Sequence, residues 1–160
     1  MTSATSSSTA TKIVHIEASP AVVWHALTDA RCIEAWMSPE ALTVETRWDI
    51  GSPIVFRGVL HGKIRFENTG RIQAFDAGRV LRYTHWSSLS RRALADVPEN
   101  HVSLTFTLFP DRDGTRLELI LENMQDEAIR GHTDFHWDMT LPVLKRFCEA
   151  QEKVEHSPAN

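Results

Sequence analysis

Tyr83, His85, His132 and His136 are the side chains best suited to chemistry without a cofactor. An imidazole titrates near neutral pH, and a phenol both donates and accepts, so a His–Tyr pair can move protons or orient a ligand's polar group. Tyr83 and His85 share strand parity with Leu81, the natural inward residue, which places both on an enclosed face. A satisfied polar pair inside an aromatic core fits the same spacing. His132 and His136 are four apart, as metal-ligating histidines are on one helix face. Thr133 stands where a metalloprotease needs Glu, and only Asp134 or Asp138 is near as a further ligand. They therefore read as surface histidines near a helix N-terminus, and no metal or cofactor is expected. The chain has no phosphate-cradling glycine loop, no G-x-S-x-G elbow and no C-x-x-C. Without a nucleophile or a metal, acid–base chemistry is the enzymatic class that remains.

The elements that must position these residues follow from patterning. A strand is expected over 12–18, where Ile13, Val14 and Ile16 are apolar. Ser19-Pro20 starts a helix that carries Val23, Trp24 and Leu27. Asp29 restarts a second short helix with Ile33, Trp36 and Met37, closed by Ser38-Pro39. Six strands follow at 42–47, 54–60, 63–75, 80–86, 102–109 and 115–122, several joined by hairpin-length turns. Leu104, Phe106 and Leu108 oppose Ser103, Thr105 and Thr107, the alternation of a sheet wet on one face. The connection 87–100 is long enough to act as a gate. From about 133 to 153, Trp137, Leu141, Leu144 and Cys148 make an amphipathic stripe, with Pro142 expected to kink the helix near Asp138.

Composition bounds the answer. At 160 residues, with 42% hydrophobic and 24% charged side chains, the chain suits one globular domain. Seventeen basic against 21 acidic residues give a charge of −4, unlike a nucleic-acid binder, and no apolar run approaches a membrane span. Cys32 and Cys148 make no disulfide framework, so a reducing, cytoplasmic setting is the simplest. The expected organisation is a Ser/Thr-rich leader at 1–11, a domain at 12–152 and a tail at 153–160. Five Trp and seven Phe against one Tyr form a large apolar surface that needs enclosure.

The order β-α-α-β6-α resembles the helix-grip fold of the START-like (SRPBCC) superfamily. Within it, IEASPAVVWHALTD at 16–29, Trp36-Met37, GRIQAFDAGRVLRYTHW at 70–86, LTFTLFPDRDGTRLELILEN at 104–123 and Trp137 with LPVLKRF at 141–147 are similar to the AHSA-type branch, named after activators of a heat-shock chaperone ATPase. AHSA-type chains often open the last helix with Gly-Trp; here Gly131 precedes Trp137 by six positions. The resemblance implies an α+β domain in which a curved antiparallel sheet of about seven strands wraps a long C-terminal helix around a cavity.

Given that cavity, Trp36, Met37, Phe56, Ile64, Phe66, Phe106, Leu119, Leu121, Trp137 and Leu141 are its expected apolar lining, with Tyr83 and His85 as polar handles. Each apolar residue taken singly also suits plain core. The leading function is binding of a small hydrophobic ligand by a monomer or homodimer. A cofactor-free cyclase, aromatase or dehydratase using His85 or Tyr83 is one alternative. A chaperone-regulating or other protein-interaction module is another. Neither nucleic acid nor a membrane is an expected partner.

Overall fold

The computed structural model describes residues 8–90 and 94–155. Residues 1–7 and 156–160, most of the expected leader and tail, lie outside the described residues.

Strand β1 (Ala10–Ile16) begins two residues inside the span read as leader. Helix α1 (Pro20–Thr28) starts as Ser19 and Pro20 dictate, with the Ser19 hydroxyl accepting from the Val22 amide at 3.2 Å. Asp29 ends α1 and caps α2 (Ala30–Trp36), its Oδ1 accepting from the Cys32 amide at 3.1 Å. The Trp36 indole donates to the Ala26 carbonyl at 2.9 Å, which fixes the corner between the two helices. Six strands follow: β2 (Leu42–Thr46), β3 (Pro53–Leu60), β4 (Ile64–Asp76), β5 (Val80–Ser87), β6 (Val102–Asp111) and β7 (Gly114–Glu122). They form one seven-stranded antiparallel sheet in the order β1-β7-β6-β5-β4-β3-β2.

Helix α3 (Glu127–Glu155) lies across the concave face. It starts six residues before the expected position, because Asp126 caps it by accepting from the Ile129 amide at 3.0 Å. It runs on through Pro142, whose ring sits on the exposed side. Three acidic or basic anchors tie it down. Lys12 on β1 reaches Asp134 at 2.7 Å and Asp138 at 2.6 Å. Glu149 accepts from the Glu17 amide and Glu152 from the Ser19 amide, each at 2.8 Å. Beneath it Val102, Leu104, Phe106 and Leu108 of β6 and Leu117, Leu119 and Leu121 of β7 are buried. None of the helices described is long and apolar enough to cross a membrane.

Gly131 sits in the first turns of α3 with nothing within 4 Å of the position a Cβ would take. Gly131→Ala is therefore expected to stabilise the protein by about 0.5–1 kcal/mol, by removing backbone freedom from the unfolded chain. Thermal or denaturant unfolding checks this, and a lowered midpoint contradicts it.

Candidate functional site on the concave face

The inward parity of β5 runs Leu81, Tyr83, His85, and of β4 Asn68, Gly70, Ile72. Cross-strand pairing places Phe56 beside Asn68, Asn68 beside Ser87, and Tyr83 between Ile72 and Leu104. A chain of aromatic contacts then crosses from sheet to helix. Phe56 lies 5.9 Å from both Tyr83 and His85, Tyr83 lies 6.1 Å from Phe106, and Phe106 meets Trp137 of α3 edge-on at 5.6 Å. Trp137 continues to Trp36 at 6.3 Å and to the neighbouring His136 ring at 5.1 Å. Such offset and edge-to-face pairs hold rings firmly by complementing their quadrupoles.

The expected residues divide by depth. Trp36, Phe56, Tyr83, Phe106, Leu119, Leu121, Trp137 and Leu141 are buried together in one core cluster, with Met37 packed partly buried against it. His85 is half-buried. Phe66 is half-buried as well, and its ring covers the backbone of Gly58, where a Cβ would come within 2.6 Å of it. Ile64 shares their parity but stands 48% exposed at the far end of β4. The structure thus separates a tightly packed floor from a more open rim.

Two rim residues have no counterpart among the expected polar handles. Asn68 places its Oδ1 in a buried position without a hydrogen-bond partner. Its parity with Phe66 and Gly70 was the available signal. His136 is half-buried, unlike a surface histidine, whereas His132 is exposed. The earlier start of α3 explains this: Ile129, Thr133, His136, Trp137, Thr140 and Leu141 recur at three- and four-residue spacing, so the inward stripe extends back to His136.

The electrostatics are those of an uncharged site. Burial pushes the His85 imidazole down to about 4, with smaller contributions from His136, His101 and His132. Burial, then His132, pushes His136 down to about 4 as well. Burial alone holds the Tyr83 phenol well above its ordinary range. At neutral pH both imidazoles and the phenol are therefore neutral, each able to form hydrogen bonds. Among the described residues, His132 and His136 have no third donor close enough to complete a metal site.

The connection after β5 does not gate this face in its described second half. Residues 94–101 fold over the outer face, where Thr69, Thr84 and Trp86 point. Asp96 accepts from Thr69 at 3.0 Å and meets His101 Nε2 at 2.6 Å, while His101 Nδ1 contacts Thr84 at 3.2 Å. Trp86 is buried there and donates to the Leu94 carbonyl at 3.3 Å. Residues 91–93 lie outside the described residues. Two hollows among the described residues lie away from the Tyr83–His136 centre, the second reaching this rim through Phe66. One of about 360 Å³ lies between Ser19, Asp111 and Glu152, and one of about 690 Å³ along Arg57, Arg65 and Leu89.

Comparison with known proteins places this architecture. The family model described as "Activator of Hsp90 ATPase homolog 1-like protein" matches residues 17–149. A Cytophaga hutchinsonii protein solved in solution is 31% identical, with a TM-score of 0.72 over 89% of this chain and 94% of its own. A Nitrosomonas europaea protein shares the fold at 18% identity, with a TM-score of 0.74 over 91% of this chain and 96% of its own. The Aha1 dimer from Colwellia psychrerythraea does so at 17% identity, with a TM-score of 0.68 over 88% of this chain and 96% of its own. No curated protein matches the sequence.

Proposed function

The chain belongs to the Activator of Hsp90 ATPase homolog 1-like family, and we propose that it binds a small, uncharged, largely apolar ligand at the rim of the concave face. The observation that carries this reading is the buried, unpartnered Asn68 Oδ1 beside Phe56. A buried acceptor left unsatisfied costs about 1–3 kcal/mol, and a ligand donor that reaches it recovers that energy as affinity. Half-buried Phe66 supplies apolar surface at the rim, above the buried floor of Phe56, Tyr83 and Trp137, and neutral His85 and His136 supply directional contacts without favouring an ion. A cyclase or dehydratase fits less well. A general base works best with a pKa near the operating pH, and an imidazole pushed down to about 4 is a weak proton acceptor at pH 7.

Naphthol, a flat aromatic with one donor, and naphthalenesulfonate, its charged counterpart, test the proposal. Naphthol is expected to quench Trp fluorescence saturably and raise the melting temperature, and the sulfonate to do neither. Asn68→Ala should weaken naphthol binding about tenfold, the loss of one buried hydrogen bond. Trp137→Ala should blunt the quenching. If no uncharged aromatic in a broad panel quenches or stabilises, the ligand reading fails.

A second reading, contact with a protein partner, rests on Phe135, Met139 and Val143, which are 65%, 59% and 36% exposed at four-residue spacing on α3. A family named for chaperone ATPase activators and a relative described as a dimer both suit it. Phe135→Glu with Met139→Glu should then abolish self-association or partner capture while leaving naphthol binding unchanged.

A further inference from the structure

The corner between α1 and α2 carries a group of side chains that the concave face does not use. A ring nitrogen of His25, an Asp29 carboxylate oxygen and Cys32 Sγ all lie within 4.8 Å of one another, the only such His/Cys/Asp/Glu set among the described residues. We propose that His25, Asp29 and Cys32 form a binding site for a divalent transition-metal ion of the zinc class. The three protein ligands leave a fourth position for water. The inference is independent of the ligand reading above.

The local structure prepares the three donors. Asp29 is both the last cap of α1 and the first of α2. Its Oδ1 is held by the Cys32 amide at 3.1 Å, which fixes the plane of the carboxylate and turns Oδ2 toward His25. A backbone hydrogen bond to the non-ligating oxygen is the outer-shell support that orients metal-binding carboxylates. Oδ2 and His25 Nε2 stand 3.9 Å apart, too far for a hydrogen bond. Bond lengths of roughly 2.0–2.3 Å put the donors of a tetrahedral zinc site roughly 3.3–3.6 Å apart. Closing the set therefore takes a relative shift of at most about 1.5 Å between side-chain tips, and His25 is two-thirds exposed and free to make it. One imidazole, one carboxylate and one thiolate suit zinc or cobalt and disfavour calcium and magnesium, which take oxygen ligands.

Coordination also has a proton balance. A thiol without metal is mostly protonated at neutral pH. Forming the metal–sulfur bond breaks the S–H bond and releases one proton to solvent for each ion bound. Affinity is thus expected to rise with pH across the neutral range.

The test uses the full chain without a histidine tag, with Zn²⁺ and Co²⁺ alone as probes. The expected results are one equivalent of Zn²⁺ by calorimetry, with about one proton released when two buffers are compared. Free Zn²⁺ at about a hundred times Kd should raise the melting temperature by about 5–10 °C. Co²⁺ should produce a thiolate charge-transfer absorption. Cys32→Ser should abolish that absorption, and His25→Ala and Asp29→Asn should each weaken Zn²⁺ at least tenfold. Asn caps a helix as well as Asp does, and His25 is largely exposed, so both variants should fold normally. Unchanged Zn²⁺ affinity in His25→Ala overturns the site. So does cobalt absorption that survives Cys32→Ser but is lost in Cys148→Ala, and so does a wild-type chain that binds neither ion.

Discussion

Acidification from pH 7 to pH 5 is expected to lower the melting temperature by about 10 °C. The source is the histidine pair facing across the rim, His85 on β5 and His136 on α3, both pushed down to about 4 by burial. In the unfolded chain each takes up its proton near 6.5, so between 6.5 and 4 the unfolded state binds protons that the folded state refuses. Stability is therefore full above 6.5, falls as the pH drops through that window, and levels off below 4. At pH 5 each histidine accounts for a loss of about 2 kcal/mol, with solvent at the rim reducing the figure. Two to four degrees per kcal/mol then gives the expected shift for a chain of this size. His136→Gln should roughly halve the slope of melting temperature against pH. A melting temperature that does not move between pH 7 and pH 5 contradicts the buried, neutral assignment of both rings.

Gly70→Ala is expected to destabilise the fold by roughly 3 kcal/mol or more. A Cβ built at Gly70 falls 1.7 Å from the Thr84 carbonyl oxygen and 3.3 Å from the His85 amide. Both are backbone atoms of the adjacent strand, so no rotamer change relieves the overlap, and β4 and β5 must separate where Asn68, Tyr83 and His85 converge. The variant should lose naphthol binding together with stability, unlike Asn68→Ala, which should lose binding alone. Urea unfolding with a midpoint equal to that of the parent refutes the close approach. Gly131→Ala, at the unobstructed glycine of α3, is the contrasting control with the opposite sign.

Much of this architecture is legible in local patterning. Ser19-Pro20 and Asp29 specify where two helices begin because capping is a contact between neighbours in sequence. The alternation of Leu104, Phe106 and Leu108 with polar residues specifies a one-sided strand, because successive side chains point to opposite faces. Parity placed Tyr83 and His85 inward by the same rule, and the aromatic contacts of Phe56, Phe106 and Trp137 agree with it.

Three matters depend on contacts between distant segments. Asn68 is polar in a mixed strand, and only pairing with Phe56 and Ser87 buries its oxygen. The connection 87–100 reads as long enough for a gate, and only the contacts of Asp96 with Thr69 and His101 place its second half on the outer face. His25, Asp29 and Cys32 match no familiar ligand spacing, because their donors converge only when α1 and α2 turn about Asp29.

The amino-acid sequence by itself determined the elements, their order, the family pattern and which strand faces turn inward, since capping and alternation act over a few residues. The tertiary structure decided which inward groups lose water, and so which titrate abnormally and which lack partners. Desolvation depends on every segment packed around a group. His136 shows the difference most clearly: its type and position are local facts, but its neutrality comes from α3 lying across the sheet.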